Sequence, residues 1–171
     1  FNRLKRHTPA DAHAVLTNVT SGMGVISIMG TNARALLQSI SPNDLSHEAF
    51  PFATSQEIEL GYAIVRASRI TYVGELGWEL HPRMEHLGQL YDALWQAGAP
   101  YGLANFGLYA VNSLRMEKAY RGWGAELTNE VNMLDSAMER FIKLDKEDFV
   151  GKQATLDAPD YDFWWRSWEG E

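Results

Sequence analysis

The sequence predicts an α+β domain, with helices laid on one face of a largely antiparallel sheet. Three observations predict it. Strand and helix patterns alternate along the chain, neighbouring strands are linked by short glycine-bearing reversals, and apolar residues between 84 and 95 recur at three- and four-residue steps.

Segments 14–19 and 25–29 are β-forming and are joined through Ser21-Gly22-Met23-Gly24. A strand, Val-Ile-Ser-Ile, follows these glycines where a phosphate-binding loop needs a helix N-terminus, so the segment reads as a turn between strands. Thr31 or Asn32 can cap a helix running to about Ile40, with Ala35, Leu36 and Leu37 facing inward. Pro42, Asn43-Asp44 and Pro51 make 41–55 mostly loop, and 58–60 and 62–71 supply strand material. Met84, Leu87, Leu90, Tyr91, Leu94 and Trp95 then mark a long helix, which Gly98 and Pro100 end. A second helix is expected over 105–119, opened by a capping Asn105.

The stretch from Arg69 to Glu79 is the most informative. Its β-forming runs 70–72 and 78–80 flank Gly74 and Gly77, which reads as a hairpin. Pairing about the middle of that loop sets Tyr72 across from Glu79, and opposed residues project to the same face. An ionised carboxylate offers only acceptors, which suits a ligand presenting two N–H donors in a row, and the phenol ring can pack on a flat heterocycle. The plainer reading is a solvent-facing Glu and a Tyr that packs on the sheet. A second stretch, 113–127, carries Arg115 near the end of an otherwise apolar helix, followed by a turn around Gly122-Trp123-Gly124. Arg115 there is either half of a structural ion pair with Glu117 or Glu126, or a fixed fork for a ligand carboxylate or carbonyl.

Composition removes other classes. The 171 residues are 46% hydrophobic and 22% charged, an ordinary globular balance. A net charge of −7 without a basic stripe argues against nucleic acid. The absence of cysteine excludes disulfides, thiolate nucleophiles and Cys-based metal sites. The five histidines show no i, i+4 pair, so no metal site is predicted, and there is no Gly-x-Ser-x-Gly for Ser acyl transfer. No apolar run is long enough to span a membrane. The chain opens on Phe1 with a short basic stretch that is not a targeting signal and reads as an internal start. Its end carries Tyr161, Phe163, Trp164, Trp165 and Trp168 without helix or strand period.

Three motifs in order then carry a resemblance: Arg-Ile-Thr-Tyr-Val-Gly-Glu-Leu-Gly-Trp-Glu-Leu (69–80), Asn-Ser-Leu-Arg-Met-Glu-Lys-Ala-Tyr-Arg-Gly-Trp-Gly (112–124) and Lys-Leu-Asp-Lys-Glu-Asp-Phe-Val-Gly-Lys-Gln-Ala (143–154). Together they resemble the tetrahydrofolate-binding aminomethyltransferase superfamily, of the glycine-cleavage T-protein type, and within it the C-terminal folate half of dimethylglycine and sarcosine dehydrogenases. The resemblance runs from about 19 to 154. It implies a fold of ferredoxin-like halves, with 1–18 as the lead-in of a truncated domain, 19–154 as part of the folate-binding domain, and 155–171 as an aromatic-rich tail at the start of a C-terminal barrel.

By the same resemblance, Tyr72, Glu79 and Arg115 fall on cofactor-binding positions, with Glu79 holding the N–H edge of the pterin. The expected catalytic Asp lies upstream of this chain. Met133-Leu134-Asp135-Ser136-Ala137 departs from the family's Pro-Leu-Glu-Ala-Gly, which leaves Asp135 without an assigned role.

The implied function is transfer of a one-carbon unit to tetrahydrofolate, giving 5,10-methylenetetrahydrofolate, as part of a flavin-dependent N-methyl-amine demethylating oxidoreductase. Its implied partners are the folate, an amine-derived one-carbon donor and the flavin-binding domain of the parent protein. FAD enters only through that domain, and no nucleic acid or membrane partner is expected. The compartment is bacterial cytoplasm or mitochondrial matrix. The alternative is a non-catalytic regulatory or interaction module on the same fold.

Overall fold

Burial along β3 (Ala63–Ser68) alternates residue by residue, with Ala63, Val65 and Ala67 inside, because successive side chains of a strand leave opposite faces of the sheet. A computed structural model of the protein describes residues 1–157, so the aromatic cluster at 161–168 lies outside the described residues. The chain forms two units, Phe1–Leu114 and Arg115–Glu171.

In the first unit the pleat extends across four antiparallel strands, β1 (Ile26–Met29), β2 (Ser55–Leu60), β3 and β4 (Gly77–His81), in the order β1-β4-β3-β2. β2 meets β3 with Ile58 opposite Val65 and Leu60 opposite Ala63. The two-residue reversal between them is Gly61-Tyr62, with Gly61 at φ 58, the position where a hairpin of this length favours glycine. β4 brings Leu80 beside Ala67, and β1 brings Ile26 to Leu80 and Ile28 to Trp78. One face is therefore apolar except for Gln56, which stands opposite Ala67.

Two helices cover that face, as the α+β reading predicts. α2 (Ala33–Ser39) buries Ala33, Leu36 and Leu37, and α3 (Leu87–Gly98), entered through a 3-10 turn at Met84–His86, buries Leu90 and Leu94. At the centre Trp78 has no exposed surface. The Phe50 ring meets it edge-on at 6.1 Å, and the guanidinium groups of Arg34 and Arg69 lie 5.9 and 5.7 Å from its ring centre. Cation–π attraction thus places two charges against the core, and among the described residues no acidic side chain is buried there.

Several elements differ from expectation. Segment 14–19 is not a strand, and Val15 is 90% exposed. The intervening residues instead extend the pairing of β1 with β4, through a Met23–Arg83 bridge and the Gly24 N–H on Pro82 O at 2.9 Å. A long-range partner has displaced the local hairpin. In α2 Ala35 is exposed, and the inward alanine is Ala33. Asn32 makes no side-chain cap and donates its Nδ2 to Tyr101 O at 3.2 Å. Asn105 likewise donates to the Tyr91 hydroxyl at 2.7 Å, and the expected 105–119 helix shortens to α4 (Leu108–Glu117).

In the second unit the chain leaves α4 through Ala119 at φ 54. Among the described residues the later segment contains two short helical pieces, a 3-10 turn at Glu139–Phe141 and α5 (Lys152–Leu156). At the N-terminus of the first unit, α1 (Asn2–His7) buries none of its residues.

Candidate functional site

Glu79 leaves β4 on the face opposite Trp78 and Leu80. Its neighbours across the ladder are Ser27 on β1 and Ser68 on β3, and opposed residues share a face, so the carboxylate stands between two serines. His81, two residues along and on the same face, has its Nε2 3.7 Å from Glu79 Oε2, and both side chains are about 30% accessible. Arg66, in register with His81, pairs instead with Glu57 at 2.9 Å. A half-covered carboxylate set in a row of small polar side chains is suited to accept N–H donors from a ligand.

Tyr72 does not stand opposite Glu79. Ser68 occupies that place, and Tyr72 sits half-buried in the eight-residue loop 69–76 that links the two strands. Arg69 ends the strand. Its N–H and C=O continue to bond toward β2, with Thr54 O and Ala53 N, each at 2.9 Å, while Ile70 N bends back to Ser68 O at 3.0 Å. The buried Arg69 guanidinium donates to Phe50 O at 2.6 Å and approaches His47 Nδ1 at 3.0 Å. Burial, with the charge of Arg34 adding to it, pushes the Arg69 pKa down.

Beyond Arg69, Thr71 Oγ1 accepts the Gly74 N–H at 3.0 Å, and Gly74 takes φ 80. Gly77 differs from the expected turn glycine, since it lies in β4 opposite Met29. A Cβ there would come within 2.7 Å of Met29 Cγ and 2.9 Å of Ile28 O, so close strand approach is what requires glycine. The sequence does carry a sign of this register, because the apolar alternation of β3 stops at Ala67.

Arg115 belongs to the second unit and is 7% accessible along its side chain. Its guanidinium donates to Tyr120 O at 2.8 Å and to both oxygens of Glu126, at 3.1 and 3.3 Å. Glu126 Oε2 also accepts the Gly122 N–H at 2.6 Å. That backbone donor, together with Arg115, holds the Glu126 carboxyl below the usual carboxylate range. Of the two readings of Arg115, the ion pair with Glu126 is present, and it clamps the 120–126 turn. Asp135 accepts the Asn132 N–H at 3.2 Å, a local turn contact.

A cavity of about 500 Å³ lies elsewhere in the first unit, among the edge of β1, α2, α3 and residues 101–106. Ser27, Met29, Leu36, Trp95 and Phe106 are among its lining, and Tyr72 and Glu79 are not. Tyr91 and Trp95 stack beside it with ring centres 6.1 Å apart and planes inclined by 11°. Four separate parts of the chain form this cavity, which the sequence did not reveal beyond the helical stripe that carries Tyr91 and Trp95. Among the described residues no group of three or more His, Asp or Glu is placed to hold a metal ion. No helix among them is long and apolar enough to cross a membrane.

Comparison with known proteins adds to this geometry. The family model described as the GCVT N-terminal domain matches residues 1–146. Human mitochondrial dimethylglycine dehydrogenase is 45% identical over 140 residues, which are 81% of this chain and 16% of that protein. Human mitochondrial sarcosine dehydrogenase is 41% identical over 140 residues, covering 81% of this chain and 15% of its own length. An aminomethyltransferase of Chloroherpeton thalassium is 32% identical over 157 residues, covering 92% of this chain and 42% of its own. The chain thus spans about one sixth of the length of the two dehydrogenases.

Proposed function

The chain belongs to the GCVT N-terminal domain family, and from that premise we propose that it binds tetrahydrofolate as part of a flavin-dependent dehydrogenase of the dimethylglycine or sarcosine type. The observation that carries this reading is the position of Glu79. Its carboxylate stands on the outer face of β4 between Ser27 and Ser68, with acceptor oxygens of the kind a pterin's adjacent N–H and amino donors require. When bound, tetrahydrofolate supplies the two amines that capture a one-carbon unit as 5,10-methylenetetrahydrofolate.

The chain's own residues supply orientation and electrostatics. Glu79 fixes the pterin edge, and Tyr72 provides a ring or hydroxyl from the 69–76 loop. Arg115 is proposed to hold a polar end of the ligand, and its ion pair with Glu126 makes this a separate prediction. None of the 171 residues is assigned as the catalytic acid or base. The amine oxidation, the FAD and the one-carbon donor belong to the longer polypeptide, in the mitochondrial matrix or bacterial cytoplasm.

Titration of the full-length protein with reduced folate, followed by Trp fluorescence, tests the reading. Glu79→Gln is expected to weaken binding by about 1–3 kcal/mol, the cost of losing a charged hydrogen bond. Unchanged affinity in that variant removes Glu79 from the site. Arg115→Ala is expected to lower affinity while the circular-dichroism spectrum is retained, and loss of that spectrum marks Arg115 as structural only.

A further inference from the structure

β1 is a terminal strand of the sheet, and among the described residues no backbone group pairs with its outer edge. Gly24 and Gly30, on either side of it, both send their N–H toward β4, to Pro82 O at 2.9 Å and Leu76 O at 2.8 Å. Amide direction alternates along an antiparallel strand, so Ile26 and Ile28 also face β4. The N–H and C=O groups of Ser27 and Met29 therefore point outward. An exposed edge is commonly blunted by charge, proline or a bulge, yet 25–29 reads Val-Ile-Ser-Ile-Met, with neither charge nor proline. Beside this edge lies the cavity of about 500 Å³, and none of its lining residues is charged.

We propose that this slot receives one further β-strand, an extended and uncharged segment of polypeptide from outside residues 1–171. Its backbone pairs with Ser27 and Met29, and its alternate side chains, apolar, fill the space against Leu36, Leu94 and Trp95. Strand addition of this kind takes its affinity from the main chain and its selectivity from alternate side-chain pockets. A flat aromatic ligand is a poorer fit, because it stacks on Tyr91 and Trp95 but leaves the outward amide and carbonyl groups bare. The β1 edge of a second copy fits less well too. It is four residues long, and residues 101–106 line the cavity beside it, so a second copy would have to bring its own 101–106 segment into the same slot. The matched dehydrogenases are about six times longer than this region, so a longer polypeptide is the proposed source of the segment.

Amide hydrogen exchange in the full-length protein tests this. Ser27 and Met29 are expected to exchange roughly 100-fold or more slowly than unprotected amides, alongside Ile26 and Ile28. Ser27→Pro removes only an outward donor, a change that an edge strand accommodates. Ile26 and Ile28 should stay protected in that variant while Met29 loses protection and the docked segment becomes sensitive to limited proteolysis. Exchange of wild-type Ser27 and Met29 at unprotected rates overturns the proposal. So does protection that appears only with rising concentration, together with a dimer by sedimentation, which assigns the edge to a second copy. The wild-type measurement decides the matter even if Ser27→Pro does not fold.

Discussion

Trp78 and Glu79 are adjacent in the chain and opposite in environment. The indole has no exposed surface, while the carboxylate is about 30% accessible. Trp78→Ala should destabilise the protein by about 3–5 kcal/mol in urea unfolding, the usual cost of removing a large buried aromatic side chain, and it also leaves Arg34 and Arg69 without the ring they face. Glu126 gives a pH-dependent test. Its folded pKa is depressed, first by the Gly122 N–H and then by Arg115, so its contribution to stability is present above the unfolded value and is lost as pH falls through the folded one. In an NMR titration the Gly122 amide shift should therefore hold steady through the ordinary Glu range and move only below it, and Glu126→Gln should abolish that movement. At this scale the sequence marked Glu79 and Arg115 as residues of interest. It could not show that Arg69 is buried under Phe50 O, because a guanidinium reads as a surface group until a fold encloses it.

The strands show how a short-range pattern yields to a long-range partner. Pairing 70–72 with 78–80 gives a plausible hairpin, yet β4 pairs with 66–68 and with β1, and the residues between fold into a loop pinned by Arg69 and Thr71. Two glycines in that region have separable roles. Gly77→Ala should cost about 1–3 kcal/mol and speed exchange at Ile28, because the new methyl presses on the Ile28 carbonyl as well as on a movable Met29 side chain. Gly74→Ala should cost roughly 1 kcal/mol in thermal unfolding, with the β1–β4 ladder intact, because its penalty comes from φ 80 and not from crowding. The helices were more legible, since Leu90 and Leu94 follow helical spacing whatever lies across from them. Their ends were not, because Asn32 and Asn105 use their side chains on Tyr101 and Tyr91 and do not cap a helix.

Over the whole molecule, the hydrophobic core cluster is drawn from residues 28–94, with Ile26, Ile40, Leu76, Tyr101 and Leu103 packed against it. The second unit instead relies on turns and on the Arg115–Glu126 clamp. Amides over 115–157 are therefore expected to exchange by local opening, well before those of β3 and β4, when the protein is followed by hydrogen exchange. Uniform protection across both units would contradict this. Strand alternation and helical spacing were enough to predict an α+β domain and its apolar face, and three motifs in order carried the resemblance to a family, because each is a local periodicity or an ordered set of residues along the chain. Tertiary structure alone decided that Ser68 and not Tyr72 faces Glu79, that Arg115 closes on Glu126, and that β1 ends the sheet. Each of those outcomes is a competition among distant partners for the same backbone or charged groups, and such a competition is resolved only when the chain is folded.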